Sequence, residues 1–495
     1  MAQAPVIQWQ QSYGGSGNDY AYDIQPTPDG GYIMVGSSTS NNGNLTANQG
    51  NADCWVVKLN ATGTLQWQKS LGGSANEVAR SVANTADGGY IIAGSTGSNN
   101  GDVTGNHGGL NDYWVVKLNA EGNILWQKTF GGSSNEEAEV IQATADGGYI
   151  IAGASNSNNG NVSGNHGNYD AWIVKTDATG NLLWQKSLGG TGTDEAEAFM
   201  TTADGGFIMA ALSSSNNGDV IGNQGSFDYW IVKLDATGNI QWQQSYGGSG
   251  GDEPTCIQTT ADGGYIVGGT TASTNGNVTG NNGLYDYWVV KLNSSGNLQW
   301  QTALGGSSME IAYGIQPTPD GGYIIAGNSG STNGQVTGNH GGYDGWVAKL
   351  NANGILQWQK SIGSTAADGM AALLNANDNG YIVVGYNSAA NGDVTANQGG
   401  ADCWVVKLSR DALSNASFKN QTITLSQNPV NELLQWQTSG GNPIIKIKIT
   451  DSNGKTVLEQ YNNTNTLNIA MLANGMYILE AYAENEKMTA KFIKK

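Results

Sequence analysis

The chain has 495 residues, 74 of them glycine, and a formal net charge of -19 at pH 7. The charge is uneven, because residues 1–410 carry 13 Lys and Arg against 33 Asp and Glu, whereas residues 411–495 carry 8 against 7. The acidic residues 1–410 repel phosphate backbones, which argues against nucleic acid as a partner. Cations, basic proteins and neutral glycans remain as possible partners. No apolar run reaches the roughly 18 residues of a membrane-spanning helix.

The N-terminus and the cysteines give little information about the compartment. Residues 1–5 (MAQAP) have neither a charged n-region nor an apolar h-region, so we expect no signal peptide in this chain. The three cysteines, Cys54, Cys256 and Cys403, are an odd number and give no disulfide framework. We expect all three thiols to be free.

Two series of tryptophans recur every 58 or 59 residues over residues 7–408. The first series is Trp9, Trp67, Trp126, Trp184, Trp242, Trp300 and Trp358, and the second is Trp55, Trp114, Trp172, Trp230, Trp288, Trp346 and Trp404. Tandem copies of one unit are typical of a solenoid or a propeller. Because the tryptophans alternate with apolar residues inside strands, we interpret them as packing residues rather than sugar-binding platforms.

The second copy shows the elements of the unit in chain order. Residues 78–85 and 90–95 read as two strands joined by an Asp-Gly-Gly turn. After a polar loop, residues 112–118 (DYWVVKL) and 124–130 (ILWQKTF) make two more strands. Four antiparallel strands per copy correspond to one propeller blade, so the sequence predicts an all-β fold with a seven-bladed β-propeller.

The two ends of the array predict a closed ring. The last copy stops after residues 402–408 and lacks its own fourth strand. Residues 7–13 (IQWQQSY) have the sequence of that strand and no blade before them. We expect them to pair beside residues 402–408, because closure removes the exposed strand edges that invite aggregation.

The repeat ends after Ser409, and a different module of short strands follows. We expect the propeller over residues 1–410, a linker over residues 411–416 and a small C-terminal β-sandwich over residues 417–495. The landmarks of this last module are residues 425–433 (LSQNPVNEL), 447–457 (IKITDSNGKTV), 472–479 (LANGMYIL) and 491–495 (KFIKK).

The order of these motifs resembles the C-terminal sorting domain of the type IX secretion system of certain Gram-negative bacteria. It departs from the common pattern at Ser426-Gln427, where an aromatic-Pro pair is usual. The resemblance implies a partner in the type IX machinery and a protein that is secreted or displayed on the outer-membrane surface. The propeller copies resemble those of uncharacterised surface proteins of the same bacteria, which names no ligand. An ordinary immunoglobulin-like appendage is the alternative for the tail.

The polar loop before the third strand has positions that are identical in all seven copies, including Asn106, Gly108 and Asp112. Hydrogen bonds within the loop explain them. A calcium ion in each loop is the alternative, since such loops are rich in oxygen atoms. It is weakened because the position of Asp102 is Asn or Gln in four other copies. We therefore expect no cofactor, with Ca²⁺ the one candidate left open.

The histidines of these loops are not present in every copy of the repeat. His107, His166 and His340 are replaced by Gln or Asn in the other copies. We therefore expect no metal ligands and no catalytic residues among them.

Every copy carries an acidic residue at the start of its first strand. These residues are Asp19, Glu77, Glu136, Asp194, Asp252, Glu310 and Asp368. In a propeller the first strands surround the channel, so the positions predict an acidic ring at one channel mouth. The alternative is that each carboxylate caps the backbone of the preceding Gly-rich turn.

Some copies carry extra residues that the repeat does not require. Copies three to five add glutamates to the first strand, and copies three to six place an aromatic residue before the fixed aspartate. The predicted ligand-binding set is Glu137, Glu195 and Glu253 with Tyr169, Phe227, Tyr285 and Tyr343; the first strands also carry Glu139 and Glu197. Solvated charge and incidental aromatic residues are the alternative.

Our leading hypothesis is a monomeric, secreted or cell-surface binding propeller that engages a glycan or a partner protein through the loop face of blades three to six. We do not expect an enzyme. A structural or adhesive surface protein without a discrete ligand is the second hypothesis. A glycan-processing enzyme is the third, and it would need a carboxylate pair at hydrolase spacing in the acidic sector.

Overall fold

The computed structural model describes residues 3–411, 423–438, 444, 446–461, 465–483 and 486–495. The chain forms two compact units, residues 1–412 and 413–495. Most of the expected linker over residues 411–416 lies outside the described residues. Within the described part, no helix is long and apolar enough to cross a membrane.

The first unit contains seven four-stranded antiparallel sheets. Blades 1 to 3 comprise β2 (Asp19–Pro26), β3 (Tyr32–Ser38), β4 (Asp53–Leu59), β5 (Leu65–Leu71), β6 (Glu77–Asn84), β7 (Tyr90–Thr96), β8 (Asp112–Leu118), β9 (Ile124–Phe130), β10 (Glu136–Ala143), β11 (Tyr149–Ser155), β12 (Asp170–Thr176) and β13 (Leu182–Leu188).

Blades 4 to 6 comprise β14 (Asp194–Thr201), β15 (Phe207–Ser213), β16 (Asp228–Leu234), β17 (Ile240–Tyr246), β18 (Asp252–Thr259), β19 (Tyr265–Thr271), β20 (Asp286–Leu292), β21 (Leu298–Leu304), β22 (Glu310–Pro317), β23 (Tyr323–Ser329), β24 (Asp344–Leu350) and β25 (Leu356–Ile362). Blade 7 comprises β26 (Gly369–Asn375), β27 (Tyr381–Asn387), β28 (Asp402–Leu408) and β1 (Ile7–Tyr13).

The seven sheets form a closed ring. Each sheet packs against the next along the chain, and β2 of blade 1 also packs against β26, β27 and β28 of blade 7. Because β1 pairs with β28 and not with β2, the N-terminal strand completes the last blade. The predicted all-β propeller, closed by its N-terminal strand, is confirmed.

The closing pair repeats a contact found in every other blade. The indole Nε1 of Trp114 donates to Gln127 Oε1 of the adjacent strand at 2.9 Å. At the closure, Trp404 Nε1 donates to Gln10 Oε1 at 2.9 Å, although the two residues are 394 positions apart. Gln10 thus supplies the hydrogen-bond acceptor for Trp404 in the third strand of blade 7.

The apolar core lies between blades rather than within them. One cluster joins Val35 and Val56 of blade 1 to Val82 and Trp114 of blade 2, all of them buried. The half-buried Trp67 of blade 1 extends this packing, since its ring centre is 6.0 Å from that of Tyr90 in blade 2. The predicted packing role of the tryptophans agrees with these contacts.

The penultimate residue of each third strand is a lysine that pairs with an aspartate in a turn of its own blade. In blade 2, Lys117 is 4% exposed, and its Nζ lies 2.9 Å from Asp87 Oδ2. Asp87 also accepts hydrogen bonds from Thr85 Oγ1 and Gly89 N. These bonds and the ammonium lower the pKa of Asp87 to about 2. The Asp-Gly-Gly turn is therefore a structural element.

The three cysteines are buried and free, as expected. Burial raises the pKa of the Cys256 thiol to about 12, so it is a poor nucleophile at neutral pH.

The second unit contains two small sheets. The first consists of β29 (Ile423–Leu425), β30 (Leu433–Thr438) and β33 (Thr466–Asn468). The second consists of β31 (Lys446–Asp451), β32 (Thr456–Gln460), β34 (Gly475–Ala483) and β35 (Glu486–Lys494). Trp436 of the first sheet and Ile447, Leu479 and Phe492 of the second share one buried cluster. This arrangement agrees with the predicted sandwich.

Deleting residues 1–13 is expected to expose the edge of β28 and to lower the melting temperature of the propeller by more than about 5 °C. A matched control is Gln8→Ala, because Gln8 is exposed and its backbone stays in β1. Thermal unfolding followed by circular dichroism, with light scattering for aggregation, measures the effect. An unchanged melting curve for the deletion would show that β1 is dispensable for the ring.

Candidate functional site

The seven acidic residues at the starts of the first strands are buried, so the predicted acidic ring at the channel mouth is wrong. Their side chains accept hydrogen bonds inside the protein: Glu77 Oε2 accepts from Gly73 N at 2.7 Å, and its Oε1 accepts from Thr96 Oγ1 at 2.7 Å. Donors of this kind compensate for the lost hydration of a buried carboxylate. The residues with 0% exposure are Asp19, Glu77, Glu136, Asp194, Asp252, Glu310 and Asp368.

The same residues join each blade to the one before it. The backbone amide of Asp194 donates to the carbonyl of Tyr169 at 2.8 Å. Equivalent bonds hold Phe227, Tyr285 and Tyr343 beside blades 5, 6 and 7. All four aromatic side chains are half-buried, so each offers part of its ring to solvent next to the first strand of the following blade.

Every first strand has a β-bulge, which lies at the fourth residue of the strand in blades 1 to 6 and at the third residue in blade 7. In β6 the pairing with β7 shifts between Ala79 and Ser81, which leaves Arg80 outside the regular register. A bulge redirects a side chain and increases local twist. We call the seven bulged residues the bulge ring: Tyr22, Arg80, Glu139, Glu197, Thr255, Tyr313 and Ala371. All seven line a central cavity of about 1260 Å³.

A second set of side chains lies two residues before the bulge, near the loops that connect the blades. We call it the mouth ring: Tyr20, Val78, Glu137, Glu195, Glu253, Ile311 and Gly369. Glu137 and Glu195 line the central cavity, and Glu253 lines an adjoining cavity of about 360 Å³. The three predicted glutamates thus lie on consecutive blades, two of them in the central cavity and the third in the adjoining one.

Two of the predicted aromatic residues lie close to these glutamates. Asn135 Nδ2 donates to Glu137 Oε1 at 2.8 Å and to Tyr169 Oη at 3.1 Å, so it links the two side chains. Tyr285 lines the smaller cavity together with Glu253. Phe227 and Tyr343 line neither cavity.

The glutamates of the two rings repel one another. Burial, together with the charges of Glu137, Glu139 and Glu253, raises the pKa of Glu195 to about 7. Burial and the neighbouring Glu139 and Glu195 raise the pKa of Glu197 well above its usual range. A bound cation would relieve this repulsion and stabilise the ionised carboxylates, so the site is suited to a positively charged ligand.

Arg80 is a cavity-lining residue that the comparison of the repeats missed. It is the only basic residue that lines the central cavity in the described part of the chain. Its Cζ lies 4.6 Å from the centre of the Tyr22 ring, and its Nε lies 3.6 Å from Glu139 Oε1. The guanidinium therefore lies between a tyrosine of the preceding blade and a glutamate of the following one. Comparing the fourth residue of each first strand would have revealed it.

The loop histidines are engaged in hydrogen bonds. His107 Nδ1 and His166 Nδ1 each lie 2.6 Å from the invariant aspartate of their loop, and His340 Nδ1 lies 2.8 Å from Asp344 Oδ2. Among the residues that the structure describes, no three His, Cys, Asp or Glu side chains are arranged to hold a metal ion.

Comparison with curated proteins finds a distant relative of the propeller. Regulatory protein FlaEY of Caulobacter vibrioides is 25% identical over 387 residues, which cover 69% of this chain and 39% of that protein. The chain therefore corresponds to well under half the length of this relative.

Several solved structures are similar at low sequence identity. The WD40 domain of Neurospora crassa Pan2 has a TM-score of 0.45 and 11% identity, over 81% of this chain and 95% of that one. The extracellular domain of the BT4673 two-component system of B. thetaiotaomicron has a TM-score of 0.44 and 12% identity, over 99% and 60%. Puromycin hydrolase has a TM-score of 0.45 and 11% identity, over 99% and 63%.

The tail matches a described family. Residues 428–495 match the secretion system C-terminal sorting domain, which agrees with the motifs over residues 425–495. Such a domain interacts with the type IX machinery and directs its carrier to the cell surface. The chain is therefore a β-propeller followed by a type IX sorting domain at residues 428–495, and this domain indicates secretion to the cell surface or outer membrane.

Proposed function

We propose that the propeller is a surface binding protein that captures a basic segment of a partner protein at the mouth ring. The observation that supports this proposal is the position of Glu137, Glu195 and Glu253 on consecutive blades, in two adjoining cavities, where the charges of Glu137 and Glu253 both act on Glu195. Tyr169 and Tyr285 border these glutamates. We call these five residues the acidic sector.

The chemistry of the acidic sector favours a positively charged ligand. The half-buried carboxylates of Glu195 and Glu253 lose hydration, and an incoming ammonium or guanidinium group replaces that hydration with an ion pair in a medium of lower dielectric constant. Glu137 is exposed and adds its charge to theirs. Tyrosine rings attract the same cations through their faces. A neutral glycan would leave the repulsion within the sector in place, so we favour a basic protein over a glycan.

Replacing the three glutamates together, by Glu137→Gln, Glu195→Gln and Glu253→Gln, is expected to weaken binding of a lysine-rich peptide at least about tenfold. Fluorescence anisotropy with a labelled peptide measures the dissociation constant at two salt concentrations. Glu121→Gln is the matched control, because Glu121 is exposed in a turn of blade 2, outside both cavities.

Three outcomes would contradict the proposal. The triple variant could bind the peptide as tightly as the unmodified protein. The unmodified protein could bind neutral oligosaccharides on a glycan array and ignore the peptide. Release of sugar products from polysaccharides would instead favour the glycan-processing hypothesis.

Peptide binding is expected to weaken as the pH falls through about 7. The pKa of Glu195 is raised to about 7 by burial and neighbouring glutamates, so below that pH its carboxyl group is protonated and attracts no cation. Calorimetry at about pH 6 and pH 8, in buffers of different ionisation enthalpy, should show proton release on binding at the lower pH. Glu195→Gln should reduce that release, and an identical pH profile in this variant would refute the assignment.

Removing residues 428–495 is expected to stop secretion by a bacterium with a type IX system, because these residues form the sorting domain. The propeller should still unfold cooperatively at an unchanged temperature, since the two units are separately compact. Fractionation and immunoblotting locate the protein. Fusing residues 417–495 to a periplasmic reporter provides the control, and secretion of the truncated chain would contradict the assignment.

A further inference from the structure

The bulge ring contains one arrangement twice, in opposite order around the channel. On blades 1 to 3 its residues are Tyr22, Arg80 and Glu139, and the Arg80 guanidinium lies between the other two. On blades 4 to 6 the order is glutamate, threonine, tyrosine. Between the glutamate and the tyrosine, blade 2 therefore carries the cation of Arg80, whereas blade 5 carries the short side chain of Thr255.

A cavity lies on the side that lacks the cation. Its volume is about 360 Å³, and it is lined by Glu197, Glu253, Thr255 and Tyr313. Apolar groups complete the wall, from Leu212 and residues 309 and 311. A long side chain with a charged end fits such a lining, because its stem can contact apolar groups while its head meets the carboxylates.

The carboxylate on this side has no direct ion pair among the residues that the structure describes. Glu139 is paired with Arg80, whereas Glu197 accepts no hydrogen bond from any residue that the structure describes. Glu139 and Glu195 lie close enough to repel it. The charge of Arg80 acts on Glu197 from a longer distance, so Glu197 lacks the ion pair that Glu139 makes with Arg80.

We propose that this smaller cavity binds the guanidinium group of an arginine side chain of the partner protein. Glu197 and Glu253 pair with the charge, the Tyr313 ring stacks on the planar group, and the apolar wall holds the stem. Arg80 on Tyr22 shows the same contact within the chain. A guanidinium stacks and presents several donors at once, which an ammonium does not, so arginine is favoured over lysine. This inference rests on the proposed function and names the side chain that the acidic sector admits.

The test uses lysine-rich peptides that differ only at the central residue, which is arginine, lysine or citrulline. Citrulline has the shape of arginine without its charge. The arginine peptide is expected to bind about tenfold more tightly than the citrulline peptide and several-fold more tightly than the lysine peptide. Thr255→Arg should place a tethered guanidinium in the cavity and abolish this preference. Glu121→Gln should keep it.

Two further variants keep the test decisive if Thr255→Arg misfolds. Glu197→Gln should remove the preference for arginine, and Tyr313→Phe should retain it because the ring remains. Equal binding of the three peptides, a preference for lysine, or an arginine preference that survives Glu197→Gln would overturn the inference. A failure of the proposed function would give a different result. In that case the variant with Glu137→Gln, Glu195→Gln and Glu253→Gln would bind all three peptides as tightly as the unmodified protein.

Discussion

Each blade junction depends on one buried acidic residue that bonds in two directions. In blade 2, the Glu77 carboxylate accepts from Gly73 N, and the Glu77 amide donates to the carbonyl of Ala52 in blade 1. Losing the side chain would leave buried donors without partners, which costs about 1–3 kcal/mol for each. Because the first strand starts from this residue, the junction also fixes where the mouth and bulge rings lie.

The sequence predicted the blades and the closure because strand pairing follows from repeated motifs, and Gln10 carries the same motif as Gln127. It did not predict which way the first-strand carboxylates point. Alternation in a regular strand puts residues 77, 79 and 81 on one face, and it cannot reveal that a bulge turns Arg80 toward the channel. The same bulge explains why Tyr22 and Tyr313 were passed over.

Residues that hold the ring repeat in every blade, whereas those that line its channel differ from blade to blade. The lysine and aspartate of each turn recur seven times as ion pairs, yet the bulge ring contains tyrosine, arginine, glutamate, threonine and alanine. Divergence on a repeated scaffold indicates which positions are free to serve a ligand. The residues proposed to bind a ligand are therefore largely distinct from those that make the junction bonds.

The closing strand also has a mechanical consequence for a protein that is carried by its tail. A force applied beyond Leu408 acts first on β28, the last strand of the propeller. That strand lies between β27 and β1 and is paired on both sides. Pulling it out requires two ladders of hydrogen bonds to break together, whereas an edge strand would lose one. The last strand of the propeller therefore resists tension as an interior strand does.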